Sequence, residues 1–301
     1  MNSTSVLPLL SPVEAERATH EPQASGKTST ILPRLQLFEI EDLGWVPASI
    51  RSGIVAALGT MMRLLGVYRK YVFPSLFKFI HAHSPVLEVA AGSAQHVDDF
   101  VAWCHETGRE LTGRSIVLSD LNPNVEAFAE LTQAHAPQVQ AEVQPVNACE
   151  VSAAHCGKAR IIFNAFHHLP PAQAQAFLAD AVRHADGVMV VEPLSRNLMS
   201  IASCVCGLVF GLIAPLLAKR FRWSHLFWTW LLPVIPLALA FDGVVSALRN
   251  YSRAEIEAML KTLPDNDFTW EIHEDGPTLF GLSLGKGLLL IGSSKTRSTS
   301  C

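Results

Sequence analysis

The sequence predicts an α/β fold: a mostly parallel sheet of seven strands with helices on both faces. Three observations support this. Apolar runs ending in polar or small residues alternate with helical patterns five times between residues 85 and 195, which is typical of parallel strands joined by crossover helices. One more helix and two strand patterns follow between residues 250 and 292. The 49% hydrophobic content against 17% charged residues also predicts an apolar segment beyond an ordinary core.

The first strand and the turn after it lie in residues 86–96, Val-Leu-Glu-Val-Ala-Ala-Gly-Ser-Ala-Gln-His. An acid, Glu88, is followed by Ala90, Gly92 and Ala94 at alternate positions. Small residues let a ligand approach the backbone, and the free N–H groups of the next helix favour a negatively charged group. Alanine is a poor choice wherever such a turn needs a positive φ.

The second strand ends at Asp120, which Leu121 and Asn122 follow. A carboxylate at this place in a nucleotide-binding βαβ unit accepts hydrogen bonds from ribose hydroxyls. Asp and Asn are also good helix N-caps, and the two roles are compatible on neighbouring residues. Residues 139–146 form the predicted third strand, which ends at Asn147.

The fourth strand leads into Asn164, His167 and His168, and the fifth ends in Glu192. Ligands of open α/β sheets bind at the carboxyl ends of strands, so these side chains are expected near a crevice. His167 and His168 are the best-placed candidates for a catalytic base. We expect no metal site, because no third ligand stands at a recognisable spacing.

Together these features resemble the motifs of class I S-adenosylmethionine-dependent methyltransferases, in particular a bacterial group with an apolar insert after the fifth strand. The resemblance implies a Rossmann-like fold, S-adenosyl-L-methionine as cofactor and methyl transfer as the reaction. The His-His-Leu turn differs from the Asn/Asp-Pro-Pro-aromatic motif of enzymes that methylate DNA bases or amides. The resemblance assigns cofactor binding to Glu88, Ala90, Gly92, Ala94, Asp120, Leu121, Asn147 and Asn164.

An apolar insert occupies residues 198–249. Residues 198–218 carry no charge and would measure about 31 Å as a helix, enough to span a bilayer. Three interpretations stay open: a transmembrane hairpin, a hairpin in the membrane interface with its basic loop towards lipid head groups, and a soluble lid or dimer surface. Each favours an apolar small-molecule or lipid-like acceptor. Asp242 and Arg249 are expected on the substrate side, or in ion pairs with each other or with Glu39 or Asp42.

The predicted organisation is a disordered tail over residues 1–34, a helical cap over 35–84, a catalytic domain over 85–197 and 250–292, and the insert. A net charge of −4 without a long basic run disfavours nucleic-acid binding. Six scattered cysteines without a C-x-x-C pair favour a reduced, cytoplasmic protein, and the apolar insert adds a membrane-associated alternative. Two alternative functions stay open: a non-catalytic, membrane-associated binding protein, and a nicotinamide-dependent oxidoreductase, against which Gln95 argues because that fingerprint has glycine there.

Overall fold

The computed structural model describes residues 32–219, 221–276, 278–279 and 282–296. Most of the predicted tail, residues 1–31, lies outside the described residues. The chain is already held at Arg34, whose Nη2 donates to the carbonyls of His167 and Leu169 at 3.2 Å each. Arg34 is therefore part of the described fold, although the sequence analysis assigned it to the tail.

A seven-stranded sheet forms the centre of the fold, in the order β3-β2-β1-β4-β5-β7-β6. The first five strands pair in parallel, and β7 lies antiparallel between β5 and β6. This confirms the predicted α/β class, with β1 and β4 adjacent where the strand order reverses. The strands are β1 Val86–Val89, β2 Ile116–Leu118, β3 Val139–Ala141, β4 Ala159–Phe163, β5 Gly187–Glu192, β6 Phe268–His273 and β7 Leu288–Ser294.

Helices alternate with the strands, as the sequence predicts, and others lie in the cap and in the insert. Six are α1 Ala48–Leu64, α2 Val67–Tyr71, α3 Phe73–His83, α4 Gln95–Glu106, α5 Val125–His135 and α6 Pro171–His184. Four more are α7 Leu198–Leu217, α8 Trp223–Leu226, α9 Val234–Arg249 and α10 Arg253–Lys261. A separate short hairpin pairs two strands of two residues each, Thr278–Leu279 and Leu282–Ser283.

In the cap, Val67–Tyr71 and Phe73–His83 are separate helices, because Pro74 lacks a backbone N–H and occupies the first turn of the second one. Two strands are shorter than the sequence predicts. β2 ends at Leu118, before the expected end at Asp120. The third strand ends at Ala141, five residues early, because the Glu142 carboxylate accepts a hydrogen bond from the Gln144 N–H at 2.9 Å and turns the chain.

Two apolar clusters cover the two faces of the sheet. One includes Phe73 and Phe100, and the other includes Phe166 and Phe177, all almost fully buried. Such burial on both faces explains why the strands read as continuous apolar runs.

The apolar insert lies against the cap rather than apart from it. α7 packs on α1 and α9, and a third apolar cluster joins Ile54 of α1 to Ile235 and Leu239 of α9. A Cβ at Gly211 of α7 would come within 2.9 Å of Pro236, so glycine permits this close approach. Among the described residues, one helix, α7, is long enough and apolar enough to cross a membrane. The segments Trp223–Leu231 and Val234–Arg249 pass the same test only if they are taken together, and they are bent by 82° relative to each other.

Four cysteines, Cys104, Cys149, Cys204 and Cys206, are free, whereas Cys156 is disulfide-bonded. The expectation of reduced cysteines is therefore wrong for Cys156. The buried Cys204 behaves as a small hydrophobe, since burial raises the pKa of its thiol to about 12.

Candidate functional site

The turn after β1 holds three residues in the left-handed region of φ. Ala90 has φ 53°, Gly92 φ 56° and Ala94 φ 47°. This conformation costs a non-glycine residue roughly 1–2 kcal/mol, so the two alanines place strain in the turn that precedes α4. Such strain is typical of ligand-binding segments. A Cβ built on Gly92 meets nothing within 4 Å, so the backbone faces open space at this point.

Asp120 connects this turn to the end of β2. Its Oδ2 accepts a hydrogen bond from the Gly92 N–H at 2.9 Å, and its Oδ1 accepts one from the Asn122 N–H at 2.8 Å. Each carboxylate oxygen keeps a further lone pair. Asp120 therefore fixes both loops and can still accept hydrogen bonds from a ligand. The alternative capping role falls to Asn124, whose side chain accepts from the Ala127 N–H at the start of α5.

Glu88 is 2% exposed and contacts a side chain that the sequence did not indicate. Its Oε1 lies 2.7 Å from His96 Nε2. The His96 ring stacks on Phe163 of β4, with centroids 3.9 Å apart. Glu88 therefore joins the first turn of α4 to the sheet beneath the loop.

A cavity of about 960 Å³ opens above Gly92 and Asp120. Its volume is near the upper end for small-molecule sites, roughly 300–1,000 Å³. Four parts of the chain line it: the β1 turn with α4, the β2 turn with α5, the cap and the insert. Representative wall residues are Gly92, Ser93, Asp98, Asp99, Asp120, Asn122, Glu41, Asp42, Arg51, Ser52, Lys219, Arg222 and His225.

The predicted cofactor residues divide between this wall and other places. Gly92 and Asp120 line the cavity. The other predicted cofactor residues do not line it: Glu88, Ala90, Ala94, Leu121, Asn147 and Asn164. Leu121 is 57% exposed beside it. The Asn147 side chain accepts from the Cys149 N–H at 3.0 Å, and Asn164 has φ 52° with its N–H bonded to Val191. For the residues away from the wall, a cofactor contact stays a prediction.

The basic loop of the insert closes one side of the cavity. Lys219 Nζ lies 2.6 Å from Asp98 Oδ2 and 2.7 Å from Asp99 Oδ1. Burial lowers the pKa of Lys219, but hydrogen bonds to the two carboxylates outweigh it and the net pKa is raised. Lys219 therefore faces α4, whereas the interface interpretation placed this loop towards lipid head groups. His225 also faces the protein, with Nε2 3.1 Å from Ser52 Oγ.

His167 lies in a buried charged cluster, which we define as Glu39, Asp42, His167, His168, Glu192 and Arg249. Its side chain is 1% exposed. Glu192 accepts from the His167 N–H at 3.0 Å and lies 2.8 Å from Nδ1, and Glu39 Oε1 is 3.4 Å from Nε2. Burial alone would lower the pKa of His167, but these two carboxylates raise it to about 9. These contacts associate His167 with the cluster rather than with the cavity wall, where a base would act.

His168 is the more accessible histidine of the pair, with a side chain 27% exposed. Its Nδ1 lies 3.2 Å from Asp42 Oδ2, and its Nε2 lies 3.6 Å from Glu39 Oε2. Both histidines therefore face the same glutamate, which the cap contributes.

Asp242 and Arg249 bind the cap instead of lining the cavity. Asp242 accepts from the N–H groups of Ile40 and Glu41 at 2.6 and 3.2 Å. Arg249 Nη1 lies 3.2 Å from Glu39 and 3.5 Å from Asp42. Arg249 therefore forms the ion pairs that the sequence analysis gave as its alternative, with Glu39 and Asp42 as partners, whereas Asp242 binds backbone N–H groups. A substrate-side role for either residue stays a prediction.

Glu41 is a wall residue that the sequence analysis did not assign to the site. It is half-buried and lines the cavity beside Asp42. Burial, and then the nearby carboxylates of Glu39, Asp242 and Asp42, raise its pKa to about 8. The run of acids at residues 39–42 was a possible signal, but only the folded cap shows which acid faces the cavity.

No family model matches the chain, and no curated protein matches it. Among solved structures, the chain is similar to the methyltransferase domain of bacterial Hen1, with 12% identity, a TM-score of 0.42 and coverage of 78% of this chain and 99% of that one. It is also similar to magnesium protoporphyrin IX methyltransferase (ChlM) from Synechocystis PCC 6803 with bound SAH, with 14% identity, a TM-score of 0.42 and coverage of 84% and 88%.

A third similar structure is the O-methyltransferase NcsB1 from neocarzinostatin biosynthesis, in complex with S-adenosyl-L-homocysteine and 1,4-dihydroxy-2-naphthoic acid. It shares 14% identity with a TM-score of 0.47, and the match covers 84% of this chain and 60% of that one. Because these TM-scores are below 0.5, the fold assignment rests on the sheet itself. The order β3-β2-β1-β4-β5-β7-β6 with antiparallel β7 is the class I methyltransferase fold.

Proposed function

We propose that this chain binds S-adenosyl-L-methionine at the carboxyl ends of β1 and β2 and transfers its methyl group to an apolar acceptor. The observation that carries the proposal is that one cavity includes Gly92, Asp120, the acids of the cap and the loop of the insert. A cofactor and a second molecule can therefore share one cavity. Solved methyltransferases of similar fold hold SAM or SAH, which supports this choice of cofactor.

Asp120 and Gly92 fit the cofactor through different atoms. The Asp120 carboxylate is half-buried at the cavity wall and offers lone pairs to the two ribose hydroxyls. Gly92 has no Cβ above the open space, so a ligand can lie against the backbone. The bound cofactor supplies an electrophilic methyl group, and the protein supplies mainly proximity and alignment.

We propose Glu41 as the proton acceptor for an acceptor atom that loses a proton on methylation. The acceptor atom forms the new bond to the methyl carbon, the sulfur–methyl bond breaks, and the acceptor's proton passes to the carboxylate. Glu41 reaches the cavity wall, whereas His167 is 1% exposed and outside it. With an acceptor identified from a screen of apolar phenols and acids, Glu41→Gln should lower kcat and leave cofactor affinity unchanged.

The surface of the insert supports an apolar, lipid-like acceptor. Val209 is 67% exposed, Leu231 69% and Trp223 79%, and large exposed apolar surfaces mark interaction sites. Both ends of α7 are held by the body of the protein, through Arg63 at the Leu217 carbonyl (2.9 Å) and Ser203 at the Leu284 carbonyl. We propose that α7 lies along a lipid bilayer surface rather than crossing it, and that a lipid-like acceptor enters there.

Vesicle flotation tests this part of the proposal. The wild type should float with vesicles of phosphatidylcholine and phosphatidylglycerol, and Val209→Glu and Leu231→Glu should not. The matched control is Val143→Glu, an apolar residue 49% exposed outside the insert, which should still float. A wild type that forms dimers and ignores vesicles would support the dimer interpretation instead, and a monomer that ignores vesicles would contradict both.

Isothermal titration tests the cofactor. Asp120→Ala should lower S-adenosylmethionine affinity by at least about 100-fold, because two hydrogen bonds to a charged acceptor contribute roughly 3 kcal/mol or more. The exposed Glu110→Ala variant should bind like the wild type. A folded wild type that does not bind the cofactor would favour the non-catalytic alternative. The nicotinamide alternative is not favoured, because its strand order lacks an antiparallel strand between the fifth and sixth.

A further inference from the structure

We propose that His167, His168 and Glu39 form a binding site for a divalent transition-metal ion of the zinc type. One nitrogen of each imidazole and one oxygen of the carboxylate all lie within 4.8 Å of one another. Two imidazoles and a carboxylate are a common ligand set for zinc. The sequence expectation of no metal rested on the lack of a third ligand nearby in the chain, and Glu39 reaches the pair from the cap.

Both imidazoles are oriented in the way that metal ligands require. Glu192 lies 2.8 Å from His167 Nδ1, and Asp42 lies 3.2 Å from His168 Nδ1. In metal sites a carboxylate on the second ring nitrogen fixes the tautomer and leaves the other nitrogen for the ion. Here the other nitrogen, Nε2, faces Glu39 in both histidines.

The separation between His168 Nε2 and Glu39 Oε2, 3.6 Å, fits two ligands of one ion better than a direct hydrogen bond. His167 Nε2 lies 3.4 Å from the other oxygen of Glu39, Oε1. Ligands about 2.0–2.1 Å from a tetrahedral zinc ion are about 3.3 Å from each other. A hydrogen bond from an imidazole to a carboxylate would be nearer to 2.8 Å.

A second observation is an orphaned atom. His167 Nε2 is buried and makes no hydrogen bond of good geometry among the described residues; its neighbour Glu39 Oε1, 3.4 Å away, already accepts from Arg249 and Ser246. A buried polar atom left in this state is destabilising, and deviations of this kind call for an explanation such as a missing ion. Coordination to a metal would satisfy this atom without moving the ring.

The charge of the cluster also favours a cation. Three carboxylates, Glu39, Asp42 and Glu192, surround the two histidines, and the described cation in contact with them is Arg249. Arg249 and Ser246 both donate to Glu39 Oε1, at 3.2 and 3.0 Å. Oε2 is therefore the oxygen that faces the proposed ion. The ion would join the cap to the turn after β4.

Cobalt substitution tests the site in the full chain without a histidine tag. After chelation, the wild type should bind one Co²⁺ with visible d–d bands, and Zn²⁺ should displace it. His168→Ala, at the more exposed ligand, should lower Co²⁺ affinity more than about 100-fold, since loss of a group that only orients a ligand already costs 10–100-fold. Asp42→Ala should therefore cost 10–100-fold.

The matched control is His184→Ala. This histidine is also paired with a carboxylate, with Nδ1 3.1 Å from Asp180, but lies outside the cluster, so its loss should leave Co²⁺ binding unchanged. A folded wild type without stoichiometric Co²⁺ binding would overturn the proposal. Binding that survives in His168→Ala would overturn it as well. Neither readout depends on cofactor binding or methyl transfer.

Discussion

Replacing Ala90 by glycine should stabilise the protein, although most alanine-to-glycine changes destabilise. Ala90 has φ 53°, a conformation that costs alanine roughly 1–2 kcal/mol. Glycine removes this cost but loses more backbone entropy on folding, roughly 0.5–1 kcal/mol. The expected net gain is about 0.5–1 kcal/mol, measured as a higher urea midpoint at unchanged slope.

The matched control for this change is Ala129→Gly. Ala129 is exposed within α5, where glycine costs about 1 kcal/mol relative to alanine. The two substitutions are chemically identical and should shift the urea midpoint in opposite directions. If Ala90→Gly destabilises as much as Ala129→Gly, the reasoning about strain in the β1 turn is refuted.

Three other predictions concern the charged contacts. Arg249→Met should cost up to about 3 kcal/mol, because the buried Glu39 carboxylate loses its guanidinium partner and keeps only the two histidines; adding Glu39→Gln should recover part of this in urea titrations. In metal-free protein, the raised pKa of His167, about 9 in the folded state against an ordinary 6.5, gives stability that is complete below pH 6.5 and lost as the pH rises through 9. The loss should be about 3 kcal/mol, and equal unfolding free energies at pH 6 and 9 would contradict it. Lys219→Met should cost less than about 1 kcal/mol in stability, because its ion pairs are partly exposed, but should speed hydrogen exchange at the end of α7.

Local patterns in the sequence were sufficient to predict most of the sheet. Buried parallel strands read as apolar runs, and the capping box at Ser252 and Glu255 marks the start of α10. Asp120 was predictable for the same reason, since it closely follows the end of β2 beside the turn that it binds. These features depend on residues close together in the chain or on the carboxyl edge that all parallel strands share.

The rest of the site depends on contacts between distant parts of the chain. Glu39 meets His167 and Arg249 only because the cap and the insert pack together, and nothing in the local pattern fixes that pairing. The direction of Lys219 was missed for the same reason, because its partners Asp98 and Asp99 belong to α4. The positive φ of Ala90 and Ala94 opposes the backbone preference of alanine. The shape of the turn imposes this conformation, so the identity of the residue does not predict it.

Hydrogen exchange of the full chain, with and without S-adenosylhomocysteine, tests whether the turns after β1 and β2 hold the cofactor. The ligand should protect residues 90–98 and 119–124, the turns that hold Gly92 and Asp120 at the cavity wall. The turn after β4, with His167 and His168, should change little. No protection in the two turns at saturating ligand, or protection confined to other parts of the chain, would contradict the proposed cofactor site.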